Sequence, residues 1–177
     1  MLTPSFFERC AVDVARDLLG CNLTISGVGG TIVETEAYTR DDPASHSYRG
    51  PTLRCAAMFG APGSAYVYRS YGVHWCLNVV CLPGQAVLFR ALEPLVGLQI
   101  MVIRRNTEVP TLLCSGPGRI GQALGVGLHH NTHPLEITPS DAGPVEVLHG
   151  PRIGITRAAD RPWRFGMRGS KFLSRRF

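Results

Sequence analysis

Glu34, Glu36 and Tyr38 stand at alternate positions in the run Ile32-Val33-Glu34-Thr35-Glu36-Ala37-Tyr38. Successive side chains of a strand point to opposite sides, so these three share a face with Ile32. Ionised groups beside apolar neighbours are costly unless they are paired or used. A carboxylate near an aromatic wall is suited to act as a general base toward water. Neighbouring same-face positions lie roughly 6.6–6.8 Å apart, a spacing that also suits the paired acids of a carbohydrate hydrolase. The plainer alternative is an edge strand whose acids meet solvent or arginine.

Arg90, in Val87-Leu88-Phe89-Arg90-Ala91-Leu92, shares a strand face with Leu88 and Leu92. A cation there needs an acceptor, and Glu36 or Glu34 is the natural one; a purely structural ion pair is the alternative. Tyr66 and Tyr68 share another face, and Tyr71 occupies a hairpin tip beside Gly72. An aromatic at a protruding tip is costly to solvate unless it meets a partner, and wedging between stacked bases is one such use. Val73, Trp75, Leu77 and Val79 then alternate as a core face, leaving His74, Cys76 and Asn78 opposite. Asn78 either reads the edge of a ligand there or is a satisfied buried amide.

The elements that must hold these residues are legible as follows. Ser5 and Glu8 are spaced for a capping box, and Phe6, Phe7, Cys10, Ala11, Val14, Leu18 and Leu19 continue a helix that Gly20 stops. Strands are expected over Leu23–Ile25 and Thr31–Tyr38, joined by a turn at Gly27-Val28-Gly29-Gly30. A long polar loop opens at Asp41-Asp42-Pro43 and runs to about Pro62, a length that points to function. Further strands fall at Ala65–Arg69, Val73–Cys81 and Ala86–Leu92, and helices at Pro94–Arg105 and from Gly116-Pro117-Gly118 to Leu124. From Glu136 onward the chain is strand-like, most clearly at Val145–Leu148 and Arg152–Thr156. The expectation is one α+β domain over 1–177, with a mixed, mostly antiparallel curved sheet and flanking helices.

Composition narrows the function classes. A chain of 177 residues, 45% hydrophobic and 18% charged, can bury a core without staples. The net charge of +5 is concentrated: from Arg152 to Phe177 seven arginines and one lysine face a single acid, Asp160. Such asymmetry points to a basic face for a polyanion. Lys171 is the sole lysine among eighteen basic residues, so Schiff-base chemistry has almost nothing to use. The six cysteines have no two-residue gap between any pair, and reduced thiols in a cytosolic-type compartment are expected. His129, His130 and His133 lack a fourth ligand at matching spacing and read as a loop, so no metal is called for. No signal peptide or membrane span is visible, and a cytoplasmic location is expected, nucleoid-associated if the source is bacterial.

Taken in order, these segments resemble the alkyladenine (methylpurine) DNA glycosylase family across nearly the whole chain. The resemblance rests on Ala15-Arg16-Asp17-Leu18-Leu19-Gly20, Glu34-Thr35-Glu36-Ala37-Tyr38, Asp42-Pro43-Ala44-Ser45-His46, Met58-Phe59 and Pro62-Gly63. It continues through Tyr66-Val67-Tyr68, Tyr71-Gly72, Cys76-Leu77-Asn78, Arg90-Ala91-Leu92-Glu93-Pro94, Gly116-Pro117-Gly118, Arg152-Ile153-Gly154-Ile155 and Trp163-Arg164-Phe165.

The resemblance implies a monofunctional glycosylase without cofactor, acting as a monomer on double-stranded DNA that contains damaged purines. Glu36 would deprotonate the attacking water, with Arg90 and the backbone carbonyl of Ile153 helping to hold it. Tyr38, His46 and Tyr68 would cage the flipped base, Asn78 would clash with the exocyclic amine of guanine, and Tyr71 would fill the gap left in the duplex. Two departures stand out: Pro51-Thr52-Leu53-Arg54-Cys55 replaces the usual threonine-proline-arginine-asparagine, and Arg69-Ser70 replaces aliphatic residues before the wedge tyrosine. Arg69 is expected to add a phosphate contact. A non-catalytic module that binds damaged DNA is the competing reading.

Overall fold

A computed structural model of the chain describes residues 1–140 and 143–177. Two short helices, α1 (Pro4–Phe7) and α2 (Ala11–Asp17), precede the hairpin of β1 (Asn22–Ile25) and β2 (Val28–Tyr38). A long loop containing one 3₁₀ turn, Ala56–Phe59, leads to β3 (Ala65–Ser70), β4 (His74–Val80) and β5 (Ala86–Val96). Helices α3 (Leu98–Arg105), α4 (Pro110–Leu113) and α5 (Pro117–Leu124) follow. The remaining strands are β6 (Glu136–Thr138), β7 (Val147–Gly150) and β8 (Arg164–Met167). One sheet takes the order β3-β4-β5-β2-β1-β6, with β8 added to β2 and β7 to β8. All these pairings are antiparallel, which makes an α+β fold with one continuous curved sheet.

The segment carrying Glu34 and Glu36 is central, not an edge. Glu34, Thr35 and Glu36 pair with β5 on one side and with Gly166, Phe165 and Arg164 of β8 on the other. Buried on both flanks, these carboxylates cannot be solvated and must be satisfied by protein groups.

Two bulges correct the simple alternation expected for β2 and β5. Ile32 pairs with Leu92 and Glu34 with Ala91, so Val33 is an extra residue on β2; Thr35 then pairs with Phe89, so Arg90 is extra on β5. Each extra residue shifts the side-chain alternation by one. Ile32 and Leu92 therefore lie in the main core with Ala37, Val87 and Phe89. Val33 and Ala91 pack on the other side with Phe172. Neither Ile32 nor Leu92 shares a face with the charged residues.

Other boundaries also move. The N-terminal helix is two helices, and the expected cap from Ser5 is absent: Thr3 is the N-cap and no side chain bonds to that helix start. The break falls where Arg9 turns back to donate from Nε to the carbonyl of Phe6 at 2.8 Å. Phe7 and the Ala11, Val14 and Ala15 face of α2 still join one core. α2 is tied to β2 by the Thr35 hydroxyl, which donates to the carbonyl of Ala15 at 2.7 Å. β5 runs on through Pro94 to Val96, and the helix begins only after Gly97, because residues 93–96 pair with the start of β2. Residues 152–156 form no strand; Arg152 is drawn inward to Asp42, and the strand that follows is β8. β6 covers only Glu136–Thr138, and residues 141 and 142 of the strand-like stretch lie outside the described residues.

The β1–β2 turn is also shorter than expected, because Gly29 and Gly30 are strand residues. Their role is close approach: a Cβ on Gly30 would stand 1.9 Å from the carbonyl oxygen of Glu93 on β5. Overpacking of this kind costs about 1–3 kcal/mol. Gly30→Ala should lower the free energy of unfolding by that amount, read as a lower urea midpoint without a change of slope; an unchanged midpoint would show that the β2–β5 register yields there.

Candidate active site

The face of the sheet opposite the main core is lined by polar and aromatic residues. Tyr38, Tyr66, Tyr68, Asn78, Leu88 and Arg90 line a cavity of about 560 Å³, closed by His46 from the long loop and by Ile153 from the segment before β8. Its size is in the range of small-ligand sites. The sheet alternation places them: Tyr66 pairs with Asn78, Tyr68 with Cys76, and Asn78 with Leu88, so their side chains stack across three strands.

Glu36 lies directly behind this wall, with no exposed surface, and bonds to three of the residues that line it. One carboxylate oxygen, Oε1, accepts from the backbone N–H of Ile153 at 2.8 Å and meets Nη1 of Arg90 at 3.2 Å. The other, Oε2, accepts from the Tyr38 hydroxyl at 2.8 Å. Burial raises its carboxyl above the ordinary glutamate range, opposed by Arg90, the Ile153 N–H and the Tyr38 hydroxyl, and reinforced by the charge on Glu34. A carboxylate that holds its proton more tightly than a surface glutamate, next to a cavity, makes Glu36 the candidate general base.

Glu34 is equally buried and bonds differently. It meets Nε of Arg90 at 3.2 Å and Nε of Arg164 at 3.5 Å. Two carboxylates and two guanidiniums thus form one compensated cluster across β2, β5 and β8. Arg90 pairs with both candidate acceptors, Glu34 and Glu36, at once.

The aromatic wall is electrically neutral. The imidazole of His46 meets the hydroxyl of Tyr66 through Nδ1 at 2.7 Å and stands edge-on to Tyr68, with ring centroids 4.6 Å apart. Burial and the neighbouring Arg54 hold the His46 imidazole below its usual range, so it is uncharged at neutral pH. Burial pushes the Tyr38, Tyr66 and Tyr68 phenols well above theirs, and raises the Cys76 thiol. Asn78 donates from Nδ2 to the Tyr66 carbonyl at 2.9 Å, so it is an anchored amide as well as a lining residue.

Behind Tyr38 stands Arg152, whose guanidinium carbon lies 4.7 Å from the ring centroid and 5.3 Å from that of Trp163. It pairs with buried Asp42 through both Nη atoms and donates to the carbonyls of Ala37 and Ala158. These bonds fix the backbone beside Ile153, so its N–H reaches Glu36. Ile153 thus meets the carboxylate through its N–H.

Tyr71 is 91% exposed at the cavity mouth, in a turn where the Val73 N–H donates to the Ser70 carbonyl at 3.0 Å. Its φ is +49° and that of Gly72 +68°, a left-handed pair. A bulky residue seldom adopts this region, and holding it there costs about 1–3 kcal/mol. Arg69 is exposed and stacks over Trp75 at 5.6 Å. In the departing loop segment, buried Cys55 supplies the anchor: its sulfur meets the Thr52 hydroxyl at 3.1 Å and the Gly50 carbonyl at 3.6 Å.

Seven of the eight expected residues line one cavity and its mouth, and the eighth, Glu36, lies behind that wall, bonded to Tyr38, Arg90 and Ile153. The sequence reading missed Tyr66 as part of the cage, the Asp42–Arg152 brace, and the contacts of Arg164 and Ser174 to Glu34. The basic C-terminal stretch is also divided in function, since Arg152 and Arg164 are buried partners of acids. Among the described residues, no group of three His, Cys, Asp or Glu side chains is arranged to hold a metal. Among them, too, no helix is long and apolar enough to cross a membrane.

The family described as methylpurine-DNA glycosylase matches residues 5–171. A protein of Nitrosospira multiformis is 58% identical over 186 aligned positions, covering 100% of this chain and 96% of its own length. One from Rhizobium etli is 57% identical over 176, covering 98% of this chain and 88% of its own. Both bear the provisional name 3-methyladenine DNA glycosylase. An aromatic cavity backed by a buried, braced carboxylate agrees with a hydrolase of N-glycosyl bonds, and the chain belongs to the methylpurine-DNA glycosylase family.

Proposed function

We propose that the protein flips alkylated or deaminated purines (alkyladenine, hypoxanthine, ethenoadenine) out of duplex DNA and hydrolyses the bond to the sugar. The product is an abasic site in an intact strand, the opening step of base excision repair. The observation that carries this reading is Glu36: a buried carboxylate with a raised pKa beside an aromatic cavity.

Glu36 takes a proton from water as the water oxygen attacks the anomeric carbon; the glycosidic bond breaks and its electron pair leaves with the base. Arg90 and the Ile153 backbone hold the carboxylate and the water. Tyr38, Tyr68 and His46 enclose the flipped base, and Asn78 excludes the exocyclic amine of guanine. An alkylated purine is cationic, and uncharged aromatic walls attract it by about 0.5–2 kcal/mol per contact. The neutral His46 adds no opposing charge. A cationic base leaves as a neutral molecule, whereas hypoxanthine or ethenoadenine needs protonation or strong hydrogen bonding.

Water as nucleophile is supported by the position of the amines: Lys171 is exposed beside Phe172, and neither it nor Met1 is in the cavity lining. Tyr71, presented at the mouth by its turn, fills the space the flipped nucleotide leaves. Exposed Arg69 supplies a phosphate contact next to it. The protein acts as a monomer, since nothing in this mechanism calls for a second copy.

The decisive test is an end-labelled duplex with one hypoxanthine or one methylated adenine, incubated in enzyme excess and then treated with alkali. Wild type should give cleavage only after alkali, and Glu36→Gln should be slower by roughly 10²–10⁴. Lesion binding without base release would instead establish a damage-binding module. The base must be ionised, so the rate should fall with decreasing pH through a midpoint above the ordinary glutamate value of about 4.3.

Glu36→Gln should remain folded, and its stability has a characteristic pH dependence. The folded state binds the Glu36 proton more tightly than the unfolded state, so wild-type stability declines as pH rises between the unfolded and the higher folded pKa. The glutamine variant lacks this loss. Its stability relative to wild type should therefore increase with pH across that window and then level off; a flat difference in urea midpoints would contradict the raised carboxyl.

Tyr71→Ala should weaken binding to the lesion duplex roughly ten-fold or more, since base–aromatic stacking is worth about 1–3 kcal/mol. Equal affinity by fluorescence anisotropy would remove Tyr71 from the DNA interface.

A further inference from the structure

Arg90 reaches Glu36 with only one of its three guanidinium nitrogens. Nη1 stands 3.2 Å from Glu36 Oε1. Nε meets Glu34 Oε1 at 3.2 Å, and Nη2 meets the Ser174 hydroxyl at 3.5 Å. A guanidinium is planar and rigid, so holding two of its nitrogens determines where the third points.

Glu34 is in turn held by Ser174. The Ser174 hydroxyl donates to Glu34 Oε1 at 2.8 Å and its backbone N–H to Oε2 at 2.5 Å. One hydroxyl can do both jobs, donating to Glu34 and accepting from Arg90.

The segment carrying Ser174 is locked against the bulges that created this arrangement. Phe172 packs on Val33 and Ala91, one an extra residue of a bulge and the other next to one. Arg164 donates from Nη2 to the carbonyls of Arg175 and Arg176 at 3.2 and 3.0 Å, and stacks on Phe177 at 3.7 Å. None of residues 172–177 lines the cavity.

We infer that Ser174, through Glu34, is a positioning residue: residues 172–177 clasp the far edge of Arg90 so that Nη1 faces Glu36. This rests on the reading of Glu36 and Arg90 as the reacting pair. Without the hydroxyl, Arg90 loses its Nη2 acceptor while the attraction of Glu34 on Nε remains, and the guanidinium swings toward Glu34. Glu36 then loses part of the charge that opposes its protonation. The rate falls and its acid limb moves to higher pH, while the aromatic residues of the cavity wall, Tyr38, His46, Tyr66 and Tyr68, keep their places.

The test measures single-turnover rate against pH, and affinity for the lesion duplex, for Ser174→Ala, Ser174→Thr, Glu36→Gln and wild type. Ser174→Ala keeps the backbone bond to Glu34, and its fold is checked by thermal unfolding. Its plateau rate should fall about ten-fold, the worth of one hydrogen bond to a charged group. The acid limb should move upward, affinity should stay within two-fold of wild type, and Ser174→Thr, which retains the hydroxyl, should restore both rate and limb. A wild-type rate and limb in Ser174→Ala would overturn the inference. So would equal loss in Ser174→Thr, or a loss confined to affinity or stability. A fully active Glu36→Gln would remove the underlying assignment instead, whatever the Ser174 variants do.

Discussion

The arrangement depends on burying four charges in the middle of a sheet. Glu34 and Glu36 lie on β2 with no exposed surface, and Arg90 and Arg164 approach from the strands on either side. Desolvating even one such group costs several kcal/mol, which only close partners and good hydrogen bonds offset. Removing Arg90 would leave Glu36 buried without a cation, and removing Glu34 would leave Arg164 buried without an acid. The cluster therefore constrains its surroundings: the register of β2 against β5 and β8, the bulges at Val33 and Arg90, and the course of residues 172–177 all serve its geometry.

The bulges resolve a conflict between core and site. Strict alternation would place the carboxylates on the face of Ile32 and Arg90 on the face of Leu92, both of which belong to the main core. One extra residue in each strand turns the charged stretch away from that core while the apolar residues on either side keep their packing. The same device gives Glu34 and Glu36 different environments. Glu34 is wholly committed to structural partners, whereas Glu36 faces groups that also line the cavity. Burial raises the Glu36 carboxyl, which stands next to the cavity wall.

The cavity wall shows a second economy. Tyr38 serves three neighbours: its hydroxyl bonds Glu36, one side contributes to the cavity, and Arg152 stacks against the ring. Arg152 is the hub that joins the long loop, through Asp42, to the backbone at Ile153. A loop of some twenty residues and a segment more than a hundred residues away are thus held in one geometry by a single buried pair. Long loops are otherwise the more mobile parts of a fold, and this brace lets one wall a site.

Much of this was determined by local sequence. The alternating Glu34, Glu36 and Tyr38, the cation in an apolar strand at Arg90, the hairpin tip at Tyr71-Gly72 and the scarcity of lysine are all local signals; the structure places Tyr38, Tyr71 and Arg90 around one cavity and both glutamates behind it, paired with Arg90. Strand and helix types were legible where periodicity is strong, as in β2, β4 and α5. Boundaries failed where a distant partner overrode local preference. β5 continues through Pro94 because β2 pairs with it, Gly29 and Gly30 are strand residues because β1 and β5 crowd them, and 152–156 is a loop because Asp42 draws Arg152 inward. The bulges, the Asp42–Arg152 brace and the reach of Ser174 to Glu34 join residues 50 to 140 positions apart. Only tertiary structure decides such contacts, because their worth lies in satisfying charges that the folded sheet itself has buried.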